Sequence, residues 1–337
     1  MARDLIVTAL VTGLMACGPP ADVAGVWRGA WESRDADQRG ELTLVLRPTG
    51  TQLEGDLALW QNLPSLRNDG AAVRGSVGAT SVSFKFQSSD NPHVFSGEVS
   101  GETMSGSVLY FGRSGTWRAS RITSAPVSMG REVPLPCWAR TLSFGAGRLW
   151  SVCEEFIDVD PVTGAVHPWP KPDPADDRFR LSRCQAGAAW HGGKVWCAEG
   201  GPSLFVIDPA RGFEREVALG AAERCQHPYF DGEHPWCVHQ VTGEVRRFDS
   251  TSAASLAVNG PWRSALAVVR RGDELLILLH HPDLLLRVGV ADGALRGAYR
   301  LDTTSEAFNQ ALATDGTTVW LLSSVIGDTR AIALEGL

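Results

Sequence analysis

Seven cysteines and eight histidines have the widest chemical reach in this 337-residue chain, and their spacing decides what reactions are open to them. Six cysteines form three couples of similar short separation: Cys137 with Cys153, Cys184 with Cys197, and Cys225 with Cys237. Each couple brackets a turn signal, namely Gly145-Ala146-Gly147, His191-Gly192-Gly193 or Asp231-Gly232. Cysteines on either side of a tight turn come face to face on the two arms of a hairpin, which is what a cross-strand disulfide needs. The spacing predicts three intra-hairpin disulfides, each worth on the order of 3 kcal/mol in the chain-entropy model, and an oxidising compartment. No C-x-x-C pair occurs, and the intervals do not suit zinc ribbons or fingers, so no metal site is expected. His167, His227, His234 and His281 each precede a proline, which holds them extended and marks strand starts or turns rather than ligands. The chain also lacks a G-x-S-x-G elbow, a Walker loop and an H-E-x-x-H helix, and no cofactor is expected.

The seventh cysteine needs its own explanation, because an odd cysteine in an exported chain implies a modified, free or intermolecular thiol. Residues 5–16 follow Arg3 as an apolar run, shorter than the roughly 20 residues of a spanning helix, and read as a secretory h-region. The run ends in Leu14-Met15-Ala16-Cys17, with Met15 where a small or β-branched residue is usual and Asp4 in the n-region. This ending resembles the lipobox of bacterial lipoproteins. The resemblance implies a signal peptide over residues 1–16, a diacylated Cys17 as the new N-terminus, and a lipidated tether over 17–22. Gly18-Pro19, with no aspartate after the lipidation site, resembles outer-membrane sorting, so the expected location is the bacterial cell envelope.

The elements that position these residues are read from length and periodicity. Hydrophobic residues make up 44% and charged residues 20%, enough apolar side chain for a core and too little charge for disorder. At about 150 residues per domain the length suits two domains. A net charge of -7 offers no footprint for nucleic-acid phosphates, and that class of partner is excluded.

From Gly25 to Arg121 the chain shows eight short period-two segments with hairpin-length connections, which predicts an eight-stranded antiparallel small barrel over residues 23–121. One face carries Trp27, Trp31, Leu42, Leu44, Leu46, Leu53, Leu57, Val73, Val77, Val82, Phe84, Phe86, Phe95, Val99, Val108 and Trp117, the expected core. Gly29, Gly55, Gly75, Gly97, Gly106 and Gly115 recur on that face, where a missing side chain lets a coiled strand bend. Gly25-x-Trp27 and the late Trp117-Arg118 resemble calycin-type barrels such as lipocalins and avidins. The inward positions are mostly large, so a filled interior is expected rather than a ligand cup. If the barrel has a mouth, it is the loop over residues 61–70.

Residues 122–337 repeat. Gly147-Arg-Leu-Trp150, Gly193-Lys-Val-Trp196, Gly232-Glu-His-Pro-Trp236, Gly272-Asp-Glu-Leu-Leu276 and Gly316-Thr-Thr-Val-Trp320 recur at about the 40-to-45-residue period of propeller blades, each opening a second strand. Third strands end at Asp160, Asp208 and Asp249, whose carboxylates suit turn hydrogen bonds. These turn ends resemble YVTN, NHL and quinoprotein-type propellers. The expected fold is therefore an all-β chain with the small barrel first and a five-bladed β-propeller second, a sixth degenerate blade being the alternative. Strand 130–136 supplies the missing edge of the last blade and closes the ring. Trp150, Trp196, Trp236 and Trp320 read as packing between blades.

The five expected inner strands begin Cys137-Trp-Ala-Arg-Thr, Cys184-Gln-Ala-Gly-Ala, Cys225-Gln-His-Pro-Tyr, Trp262-Arg-Ser-Ala-Leu and Phe308-Asn-Gln-Ala-Leu. None contains Asp or Glu, whereas hydrolysis of a sugar linkage needs two carboxylates about 5 to 9.5 Å apart. What remains at the channel is Trp138, Arg140, Gln185, Gln226, His227, Arg263, Asn309 and Gln310, a set that hydrogen-bonds and stacks on a neutral or acidic ligand. The functional expectation is a non-enzymatic, lipid-anchored envelope protein that captures a protein partner or glycan through its propeller face. A carbohydrate-active enzyme and a structural envelope scaffold are the alternatives.

Overall fold

A computed structural model describes residues 18–34, 38–59, 69–88, 91–110, 112–169, 184–219, 224–232, 234–239, 244–248, 255–257, 265–279, 282–301, 308–325 and 328–337. The first eight strands are β1 (Gly25–Ser33), β2 (Arg39–Thr49), β3 (Gln52–Leu59), β4 (Asp69–Val77), β5 (Ser81–Ser88), β6 (Asn91–Ser100), β7 (Thr103–Tyr110) and β8 (Arg113–Ile122). Each pairs antiparallel with the next, and β8 returns to β1 with Trp31 opposite Trp117, closing a barrel without free edges. Alternation fills the interior: Trp27, Leu42, Leu44, Leu57, Phe84, Phe95 and Trp117 share one buried cluster. Met104, Tyr110 and fully buried His93 also belong inside, the imidazole lying 4.6 Å from the Phe86 ring and 4.3 Å from the Tyr110 ring.

The inward glycines have a steric cause. A Cβ at Gly29 would stand 1.8 Å from the Arg118 carbonyl oxygen, and one at Gly75 would stand 1.9 Å from that of Ser83. A small eight-stranded barrel coils its strands until neighbouring backbones cross at this range, and only glycine fits there. The loop over residues 60–68, which carries most of the expected barrel mouth, lies outside the described residues.

The rest of the chain forms four-stranded units. They are β10 (Ser143–Gly145), β11 (Arg148–Val152), β12 (Phe156–Val159) and β13 (Val166–Trp169); then β14 (Gly187–His191), β15 (Lys194–Ala198), β16 (Ser203–Asp208) and β17 (Gly212–Ala218). β18 (Cys225–Phe230), β19 (Pro235–His239), β20 (Val245–Phe248) and β21 (Ser255–Ala257) follow, then β22 (Ala265–Arg271), β23 (Glu274–Leu279), β24 (Leu284–Gly289) and β25 (Leu295–Leu301). The last three strands are β26 (Phe308–Thr314), β27 (Val319–Val325) and β28 (Asp328–Glu335), and their fourth partner is β9 (Ser124–Leu135) from the start of the region. Among the described residues the first strands of the units neighbour one another in the order β10, β14, β18, β22, β26 and back to β10, which closes the array into a ring.

β9 does more than close the last unit. Its second half pairs antiparallel with β28, Leu135 opposite Thr329 and Val133 opposite Ala331, while its first half pairs parallel with β25, Ser124 opposite Ala298. The fourth and fifth units are thereby joined into one eight-stranded sheet. The outer face of the barrel meets this region: Val26, Val45 and Ile122 share an apolar cluster with Val290 and Leu295.

Three disulfides join Cys137 to Cys153, Cys184 to Cys197 and Cys225 to Cys237, with Cα separations of 5.8, 4.5 and 5.1 Å. The pairing follows the spacing, but the expected face-to-face geometry does not hold. Cys225 stands opposite His239, and Cys197 opposite Ala188, so these two bridges run diagonally from the leading end of a first strand to its second strand, while Cys153 lies just past β11. Cys137 and Cys184 lie ahead of β10 and β14, where no ladder holds the chain.

Candidate functional site

The expected channel residues fall on or just ahead of neighbouring first strands. Trp138 is 64% exposed, the most open aromatic side chain among the described residues, and Arg140 beside it is also exposed; both precede β10. Gln185 is exposed ahead of β14, and Gln226 and His227 are half-buried within β18. Gln310 is half-buried on β26. Asn309, by contrast, is only 2% exposed, next to a register shift between Asn309 and Ala311, and it does not line an open mouth. Arg263 lies outside the described residues.

His227 occupies an unusual backbone position. Its φ of 46° is left-handed, a region that β strands avoid, and it coincides with a register shift between Gln226 and Tyr229. Its N–H donates to the Ala186 carbonyl at 2.7 Å, stitching β18 to the segment that carries Gln185. Gly187 makes this approach feasible: a Cβ there would lie 2.6 Å from the His227 Cα. Desolvation by the surrounding ring pushes the imidazole down to about 4, so at neutral pH it is an uncharged donor and acceptor.

A second polar cluster was not foreseen. Asp158 in β12 is 2% exposed and is approached by three donors: Arg148, Trp169 Nε1 at 2.6 Å and His167 Nδ1 at 3.0 Å. His167 sits inside β13 and His227 inside β18, not at strand starts or turns; His234 does mark a turn, its N–H donating to Asp231 Oδ1 at 2.9 Å. His281 is outside the described residues. The missed signal was the cross-strand register that sets Asp158 between Trp150 and His167 on one face.

The remaining marked residues hold the ring together. Trp150 stacks on Trp190 of the next unit at 3.7 Å, over a Gly145 where any Cβ would strike the Trp190 ring, and Trp196 lies 5.0 Å from Phe230 of the unit after that. Asp160 Oδ1 accepts the Val162 and Thr163 N–H groups at 2.7 and 2.9 Å, and Asp208 Oδ1 accepts those of Ala210 and Arg211 at 2.8 and 3.1 Å. Lys194 Nζ sits 2.6 Å from Asp208 and 3.0 Å from Glu214, which raises its own pKa and lowers that of Asp208. Among the described residues no group of three or more His, Cys, Asp or Glu is placed to hold a metal ion.

No family model matches the chain, and no curated protein matches it significantly. Among solved structures it is similar to a glutaminyl cyclase of Myxococcus xanthus, at 11% identity over 64% of this chain and 98% of that one, with a TM-score of 0.46. It is also similar to the computationally designed Ika8 protein, at 13% identity, 86% and 95% coverage and a TM-score of 0.35. A DUF4623 family protein from Bacteroides eggerthii matches at 9% identity, 89% and 77% coverage and a TM-score of 0.37. With all three TM-scores below 0.5, none bears on what this chain binds.

Proposed function

We propose that the protein is a lipid-anchored binding protein of the bacterial cell envelope that captures a glycan on the face of the ring where the first strands begin. Export rests on the three disulfides, which persist only in an oxidising compartment. The anchor rests on the lipobox resemblance at Cys17. The observation that carries the binding reading is Trp138, 64% exposed beside exposed Arg140, ahead of a strand whose ring neighbour is preceded by exposed Gln185. A tryptophan left this open gains from covering its face, and indole, guanidinium and amide groups together match the apolar faces and hydroxyl edges of a sugar. Neutral His227 adds a donor and acceptor without the cost of desolvating a charge.

A glycan array and a glycosidase panel on the chain from Gly18 onward test this reading. The expected result is binding without turnover, with Trp138→Ala weakening it at least tenfold while the melting temperature is unchanged. Turnover moves the protein to the carbohydrate-active enzymes. Absence of both leaves capture of a protein partner or envelope scaffolding, which pull-down from envelope extracts with and without Trp138→Ala separates.

A further inference from the structure

The chain just after Cys17 is laid against one end of the barrel. A Cβ placed on Gly18 would lie 3.7 Å from the Ala79 Cβ, an ordinary contact distance, and the Ala21 N–H donates to the Gly78 carbonyl at 2.8 Å. Val23 is fully buried in the barrel core and its carbonyl accepts the Trp27 indole N–H at 2.9 Å. Arg121 clamps the segment from the other side, bonding the Asp22 carbonyl, the Asp22 carboxylate at 3.1 Å and the Ala24 carbonyl at 3.1 Å. Residues 18–22, expected as a tether, therefore give no slack. Six free residues would let the barrel roam about 20 Å from its anchor.

This end of the barrel consists of the β2–β3, β4–β5 and β6–β7 turns, residues 49–52, 78–80 and 100–103. They read Thr-Gly-Thr-Gln, Gly-Ala-Thr and Ser-Gly-Glu-Thr, small side chains with a single charge, Glu102. That charge and Asp22 are both paired with Arg121, at 3.1 Å each. The chain as a whole carries -7, and an acidic protein is repelled by an anionic bilayer within about a Debye length of roughly 8 Å. A small end whose two carboxylates share one guanidinium keeps a single net negative charge, and it approaches such a surface with little repulsion.

We infer that this turn end of the barrel is a membrane-facing surface, held flat on the lipid headgroups directly beneath Cys17, with the opposite barrel end pointing away. The inference rests on the lipid anchor proposed above and adds the orientation.

The test uses the full chain expressed with its own leader, carrying a photo-crosslinking amino acid at Ala79, at Thr51 or, as the far-end control, at Ser114. Membranes are irradiated and phospholipid adducts are measured by mass spectrometry, along with the acyl mass on the Cys17 peptide. The expected result is at least five times more adduct at Ala79 and Thr51 than at Ser114. Equal or reversed yields on protein whose Cys17 is acylated overturn the orientation alone. A Cys17 peptide without acyl mass overturns the anchor and the orientation together. Ten Gly/Ser residues inserted after Gly18 should bring the Ala79 yield down to the Ser114 level, and an unchanged yield would show that the anchor does not set the orientation.

Discussion

The ring holds its first three units and its last two by different means. In the first and third units several strands are short: β10 spans three residues, β12, β13 and β20 four, and β21 three, while those of the second run from five to seven. The sheets of these three units are separate from one another, and each carries one disulfide at the leading end of its first strand. The last two units have first strands of seven residues each, and second strands in which Leu275, Leu276, Ile277, Leu278, Leu279, Val319, Leu321 and Leu322 are buried. β9 hydrogen-bonds to both of these units at once. Covalent and apolar cohesion substitute for each other around one ring: staples stand where sheets are unlinked, and are absent where a shared strand and a leucine core do the same task.

Removing the staples is the strongest way to break this contrast. Reduction of all three disulfides should cost several kcal/mol, on the order of 3 for each loop. Followed by hydrogen exchange, protection should vanish first in β10–β21 and persist in β22–β28 and the barrel. Uniform loss across the ring would show that the two halves are one cooperative unit and that the contrast has no energetic content.

The converse change is smaller. Leu278→Ala in β23, whose side chain is fully buried, should cost about 2–5 kcal/mol. Its effect should appear in chemical denaturation even with every disulfide intact, and a cost below 1 kcal/mol would mean that the fourth unit does not depend on its leucines.

The smallest effect concerns pH and sharpens the stapled half. His227 is held down to about 4 against an ordinary 6.5, so the unfolded chain takes up a proton first as pH falls. Stability should fall between about pH 6.5 and pH 4 and be constant in this respect above 6.5. His227→Asn, which tolerates the left-handed backbone, should flatten that fall while leaving stability at pH 7.5 nearly unchanged. Identical pH profiles for the two proteins would remove the desolvated imidazole from the account.

Much of this architecture was legible in the residue order. Period-two alternation gave the eight barrel strands and most of their inward face, since a strand's face is set by its own neighbours in sequence. The repeated Gly-x-x-Trp marks located the second strands, and cysteine spacing gave the pairing. Trp138, Arg140 and Gln185 were readable as exposed polar and aromatic positions. The burial of Asn309 was not legible, because the register of β26 against β27 is set by pairing that local sequence does not show. Asp158 and His93 were missed because a buried polar residue inside an apolar strand is indistinguishable from a surface one until its cross-strand partners are known, and exposed His167 was missed with its partner Asp158.

The sequence by itself determined the all-β class, the barrel strands and the disulfide partners, since those follow from local period, turn chemistry and separation along the chain. Only the tertiary structure decided that β9 bridges two units, that residues 18–24 seal the barrel end, and that His227 is desolvated. Each of these depends on which distant backbones close against one another, and closure is a property of the whole sheet or ring that no single stretch of sequence contains.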